Sequence, residues 1–243
     1  MALSENVKLL QSALRTGLQL EKIRFSLESS GDFNQVRRYS GPPSDKDALS
    51  LAVEIGLLLD RQNIEYAIGG SLALGVWAVP RATVDIDLNV FIRGDDDVST
   101  AKLMDALECY GAEYLDSHMG KPVSRSDAAK LIKKDDQLYM KMSGRDVDIF
   151  LSKTIMEDRS KVRRKPVTIG KDVVFFLDPE TLAAFKLMWH RNKDIVDLEQ
   201  LFSVQGNKLD INYIKTLLEL RLNEYDLAFS LLSEMENKFV KSD

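Results

Sequence analysis

Between residues 83 and 92 apolar and polar side chains alternate, which predicts a strand, and two of its polar positions are Asp85 and Asp87. Residues two apart in a strand share a face. The two carboxylates therefore project side by side from a strand whose neighbours Val84, Ile86, Leu88 and Val90 are apolar. Unpaired, they would repel each other and resist desolvation, which raises a carboxyl pKa. A divalent cation removes the difficulty. Hard oxygen ligands suit Mg²⁺, which keeps several waters and shares its shell with substrate phosphates.

Just upstream, residues 64–68 predict a short strand ending in Gly69-Gly70, and residues 71–77 a short helix broken by Pro80. A strand that opens into a helix through glycines exposes backbone N–H groups where the helix dipole favours an anion. Glycine lets a phosphate approach the backbone closely, and Ser71 adds a hydroxyl donor. Neither the dinucleotide fingerprint nor the Walker spacing is present. Alone, Gly-Gly is usually a turn, and Asp-x-Asp a solvated strand face or a capping pair. Together and in this order, with Arg81 and Thr83 just upstream of the aspartates, they point to a phosphate cradle facing a metal-binding pair.

The composition narrows the chemistry. Among 243 residues there is one cysteine, Cys109, and two histidines, His118 and His190. That leaves no internal disulfide and no cysteine-rich or histidine-rich metal site, so carboxylates carry any metal chemistry. Cys109 reads as a buried small hydrophobe, and the histidines as surface or packing residues. The net charge of −5 disfavours a protein that coats nucleic acid through bulk charge. With no membrane-length apolar run and no signal-peptide pattern at the start, the expected location is the cytoplasm.

The pattern along the chain predicts an α+β fold: a small mixed sheet flanked by helices, then a helical C-terminal region. Residues 3–27 read as an amphipathic helix, and a Pro/Gly loop separates it from a second helix capped by Ser44 or Asp45 and running to about residue 62. Residues 98–110 predict another helix. Residues 137–142 and 145–151 predict a hairpin around Ser143-Gly144. A strand over 173–177 precedes Asp178-Pro179-Glu180, a helix start. Helices are then expected over 181–190, 193–202, 211–220 and 224–239. The expected organisation is an N-terminal helical extension (1–45), a catalytic core (46–177) and a C-terminal helical region (178–243).

Gly69-Gly70-Ser71, Ala73-Leu74, Arg81-x-Thr83 and Asp85-Ile86-Asp87-Leu88 resemble the signature of the nucleotidyltransferase superfamily, the DNA polymerase β-like fold. Within it, the chain is most similar to AbiEii-type toxin and minimal nucleotidyltransferase-like proteins. Those share a later strand aspartate, here Asp148 in Val147-Asp148-Ile149-Phe150. They also share a helix lysine, here Lys186, followed by the pattern Arg191-Asn192-Lys193-Asp194 and Asp197. The resemblance covers residues 64–202.

The resemblance implies an NTP substrate, ATP among the candidates, and two Mg²⁺ ions, replaceable by Mn²⁺, held by Asp85, Asp87 and Asp148. Two such ions, about 3.5–4 Å apart, stabilise the attacking and leaving oxygens of an in-line displacement. Asp148 would also help activate the acceptor hydroxyl, and pyrophosphate would leave. Gly69, Gly70, Ser71, Arg81, Thr83 and Lys186 would bind the nucleotide. The acceptor is a tRNA, a protein or a small molecule of the antibiotic type, and a toxin-like member would have an antitoxin partner. A catalytically silent nucleotide-binding or interaction protein on the same scaffold is the alternative from another class, disfavoured because all three carboxylates are present.

Several residues keep two readings. Asp146 shares a strand face with Asp148 but, beside Arg145, reads as a hairpin-turn residue. Lys186, on an apolar helix, is either a snorkelling surface lysine or, by resemblance, a triphosphate contact. Asp194 and Asp197 face one way at i, i+3 and either pair with Arg191 or Lys193 or belong to the active site. The basic run Arg159 to Lys165 is a solvated face or a guide for an RNA or nucleotide acceptor.

Overall fold

The computed structural model describes residues 47–116 and 120–240. The expected N-terminal helix, its Ser44 or Asp45 cap and His118 lie outside these residues. Helix α1 (Ala48–Arg61) is capped by Asp47, whose carboxylate accepts from the Ser50 N–H and hydroxyl, both at 2.8 Å. Then follow β1 (Tyr66–Ile68), α2 (Gly70–Trp77), β2 (Ile86–Arg93), α3 (Asp97–Glu108) and β3 (Glu113–Leu115). Next come α4 (Arg125–Asp135), β4 (Gln137–Met142), β5 (Arg145–Ser152), α5 (Ile155–Arg163), β6 (Lys165–Ile169) and β7 (Asp172–Phe176). The chain continues with α6 (Pro179–Trp189), α7 (Asn192–Gln205), α8 (Ile211–Glu219) and α9 (Leu227–Phe239). The fold is α+β, as the pattern predicts, with α3 close to its expected bounds.

Among the described residues, seven strands form one mixed sheet in the order β3-β4-β5-β2-β1-β7-β6. β2 lies at its centre, antiparallel to β1 and parallel to β5. Its apolar positions Ile86, Leu88 and Val90 are fully buried, so the register is held by burial. That burial turns the opposite face, carrying Asp87, toward α2 and the helices after β7. The tight β4–β5 connection forms because Ser143 and Gly144 both adopt positive φ, 49° and 74°, the geometry of a two-residue hairpin turn.

Asp178 caps α6, accepting from the Thr181 N–H and hydroxyl, and Pro179 occupies its first turn. The helix stops at His190, whose φ of 36° is left-handed. One hydrophobic cluster joins sheet and helices, running from Ile55 and Leu59 through Leu72, Ile86 and Val147 to Leu187, Leu201 and Leu232. Trp77, at the end of α2, donates through its indole N–H to the Leu177 carbonyl at 2.7 Å, tying α2 to the end of β7.

Four elements escape the sequence pattern: β3, α4, α5 and β6. Three expectations are corrected. β2 begins at Ile86, so Asp85 precedes the strand instead of lying within it. Asp146 is not a turn residue: it is the second residue of β5, buried and paired in register with Lys141. Cys109 is exposed, just past the end of α3.

Candidate functional site

The site is built where β1 ends. The Gly69 N–H donates to the Asp87 carbonyl at 2.8 Å, extending the β1–β2 ladder by one residue. Gly70 then turns into α2 with φ +53°, a conformation that disfavours any side chain. A Cβ on Gly70 would sit 1.8 Å from Oδ2 of Asp87, and one on Gly69 would sit 2.8 Å from Nδ2 of Asn89. Gly70 is therefore favoured by contact as well as by backbone angle, whereas Gly69 is extended and only its contact with the Asn89 side chain favours glycine there. Buried Ser71 follows in the first turn of α2.

Asp87 and Asp148 are direct neighbours in register across the parallel β2–β5 pair. Both stand on the face opposite Ile86, Leu88, Val147 and Ile149. Thr83 donates its hydroxyl to the Asp85 carbonyl at 3.1 Å, closing the bend that delivers Asp85 to the start of β2. Burial pushes the Asp87 carboxyl above its ordinary range, against the pull of Lys193, Lys186, Arg191 and Arg81. Burial, which penalises the charge of this carboxylate, is the feature of its surroundings that a bound cation would offset.

Among the described residues no three His, Cys, Asp or Glu side chains gather closely enough to hold an ion by themselves. Mg²⁺ takes one or two carboxylates from the protein and completes its shell with water and substrate phosphate, and Asp87 and Asp148 are two neighbouring carboxylates. The oxygen donors present fit the ion.

Behind Asp87 lies an ion-pair chain. Arg81 grips Asp197 with two hydrogen bonds, Nε at 2.9 Å and Nη2 at 3.1 Å. Lys186 Nζ reaches the same carboxylate at 2.5 Å and Asp194 at 3.5 Å. Arg191 closes onto Asp194, Nε to Oδ2 at 2.6 Å, where α7 starts. Asp197 is 1% exposed and Lys186 6%, so this is a buried network, and Lys186 is not a snorkelling surface lysine. Burial pushes the Asp197 carboxyl up, but the Arg81 hydrogen bonds and the Lys186 and Arg81 charges outweigh it and hold the group below its ordinary range.

Arg81, Thr83, Asp85, Asp87, Asp148, Lys186, Asp194 and Asp197 thus belong to one connected region beside Gly69–Ser71. The basic run does not join it. Arg163 bonds Glu180 at 2.9 Å and lies over the Tyr213 ring, its centroid 4.1 Å away. Arg164 bonds Glu65 at 3.0 Å and lies over Phe175. Lys161 also pairs with Glu65. Lys161, Arg163 and Arg164 thus have carboxylate partners within the fold, while Arg159 and Lys165 are exposed. His190 is an exposed helix cap, in line with expectation.

Sequence reasoning passed over Asn89, which is buried beside Gly69 on the Asp87 face, and gave Lys193 no role at the site. Strand alternation alone marks Asn89, two positions beyond Asp87. Lys193 is marked in the sequence only as a member of the Arg191-Asn192-Lys193-Asp194 pattern.

No protein-family model matches the chain, and no curated protein matches it. Among solved structures, the chain is similar to an antigenic nucleotidyltransferase-like protein from Paracoccidioides brasiliensis. The identity is 17%, covering 82% of this chain and 91% of that one, with a TM-score of 0.49. It is also similar to the antibiotic-resistance factor ANT(2'')-Ia, at 12% identity over 79% of this chain and 99% of that one, TM-score 0.48. A third is the lincosamide antibiotic adenylyltransferase LnuA, at 14% identity over 65% and 96%, TM-score 0.41.

Proposed function

We propose that this protein transfers a nucleoside monophosphate from a nucleoside triphosphate to an acceptor hydroxyl, releasing pyrophosphate, with Mg²⁺ as its ion. What supports the reading is the contact of Gly70 with Asp87, which in turn neighbours Asp148 across the sheet. An anion-binding helix start and a carboxylate pair meet there within one side chain's reach.

Asp87 and Asp148, paired in register across β2 and β5, would hold the ion directly, and Asp85, just before β2, would act through the ion's bound water. When bound, Mg²⁺ neutralises phosphoryl oxygens and lowers the cost of charge at the leaving group. The remaining work falls to the chain. The N–H groups opening α2 and the Ser71 hydroxyl donate to phosphate oxygens and fix the triphosphate against the sheet. Arg81 has two of its donors on Asp197, and the rest of its fork is free to hold the substrate. Asp148 accepts the proton of the acceptor hydroxyl. The hydroxyl oxygen bonds to the α-phosphorus as the bond from that phosphorus to the bridging oxygen breaks, and pyrophosphate departs with the electron pair. Catalysis is then mainly positioning and charge neutralisation.

The internal pairing of Lys161, Arg163 and Arg164 favours a small-molecule or protein hydroxyl over an RNA acceptor. Placement in the AbiEii-type branch, with an antitoxin partner, rests on the pattern from Arg191 to Asp197. The test uses NTPs labelled at either the α or the γ phosphorus, Mg²⁺, and a cell extract separated into small-molecule, protein and RNA fractions. The expected result is α-label on a small-molecule or protein acceptor and none on RNA, lost in Asp87→Asn. Transfer of the γ-label would make the protein a kinase, and no transfer at all would remove the reading.

A further inference from the structure

Helix α2 begins in the interior without a cap. Gly69, at its N-cap, supplies no side-chain hydrogen bond, and the helix ladder opens only where the Ala73 N–H donates to the Gly69 carbonyl at 3.0 Å. The N–H groups of Gly70, Ser71 and Leu72 therefore have no acceptor among the described residues. Ser71 is 8% exposed and Leu72 1%, so little water reaches them. A helix start buried in this way calls for a ligand to complete it.

Two polar side chains stand at the same place. Ser71 lies in the first turn of α2, and Asn89 shares the β2 face of Asp87. A Cβ on Gly69 would meet Nδ2 of Asn89 at 2.8 Å, just as one on Gly70 would meet Asp87. Asn89 is as buried as Ser71, and among the described residues neither side chain makes a hydrogen bond. Leaving a carboxamide buried and unbonded costs stability, so its presence needs a reason. Capping is not the reason, since a cap is an acceptor. The carboxamide turns its donor toward the N-cap residue and adds to the backbone N–H groups and the Ser71 hydroxyl. Donors that converge with no acceptor among them suit an anion.

We propose that Asn89 is a further substrate-binding residue, whose Nδ2 donates to a phosphate oxygen of the triphosphate held at the start of α2. The assignment deepens the nucleotidyl-transfer reading and rests on it. Asp87 serves the phosphates through the ion, and Asn89 serves them directly.

The test is calorimetric binding, in Mg²⁺, of ATP, GTP, CTP and UTP, and of inorganic tripolyphosphate as a base-free probe. Asn89→Leu, close in size but without polar atoms, and Asn89→Ala are each expected to weaken tripolyphosphate binding roughly 10- to 100-fold, the worth of a hydrogen bond to a charged group. The ligand-free Tm of Asn89→Leu should be no lower than that of the unmodified protein, because no hydrogen bond within the protein is lost. Tripolyphosphate affinity unchanged in either variant, or a lowered ligand-free Tm in both, overturns the assignment and leaves the proposed function standing. If the unmodified protein binds none of these probes, the proposed function falls and the assignment falls with it.

Discussion

The Asp87 carboxylate occupies the space that a side chain on Gly70 would need, with Oδ2 1.8 Å from where a Cβ would stand. The helix start and the carboxylate are thus one construction, and neither can change without moving the other.

Gly70→Ala should therefore cost stability and function together. The positive φ alone costs about 1–2 kcal/mol, and the displaced Asp87 adds to it. Urea unfolding should show a lowered midpoint with an unchanged slope, and label transfer should fall to background. A fully stable, active Gly70→Ala would show that the contact is unimportant.

Asp87→Asn should separate the two properties. Burial holds the Asp87 carboxyl above its ordinary 3.8, so the ionised form is disfavoured in the folded protein. A neutral side chain of the same shape relieves that penalty. In Mg²⁺-free buffer at pH 7 the variant should melt no lower than the unmodified protein, yet be inactive.

Asp197→Ala should be among the most damaging single changes. It strands Lys186 in the interior and releases Arg81, and breaking a buried pair by removing one partner costs about 3–5 kcal/mol. The pH dependence has a definite sign. The folded Asp197 carboxyl lies below its ordinary 3.8, so its contribution is fully present above that pH and lost as pH falls through the lower folded value. Asp197→Asn should flatten the acid limb of the stability profile below about pH 4, followed by the midpoint of denaturant unfolding.

Exposed Cys109 should react completely with a thiol reagent in the native protein, without denaturant. Reaction only after unfolding would place it in the interior.

What the sequence revealed was what local chemistry determines. Gly69-Gly70, the Ser143-Gly144 turn and the Asp178-Pro179 helix start each depend on backbone angles or caps a few residues long, and all three stand where expected. The elements missed carry weak local signals. α4 buries only Ala128 and Ile132, β3 is three residues long, and the basic run hides both the end of α5 and the start of β6. Arg163 and Arg164 look like a solvated face because their partners, Glu180 and Glu65, lie in distant parts of the chain. Lys186 is the same case at shorter range. Its burial depends on Asp197, which reaches it only once α6 and α7 have packed together.

The most direct test of the central claim is Mg²⁺-dependent triphosphate binding to the unmodified protein and to the Asp87→Asn/Asp148→Asn double variant, measured by calorimetry with and without the ion. The expected result is tight binding that requires Mg²⁺ in the unmodified protein, and residual binding indifferent to Mg²⁺ in the variant. Triphosphate binding that keeps its full Mg²⁺ dependence in the double variant would contradict the assignment of this carboxylate pair.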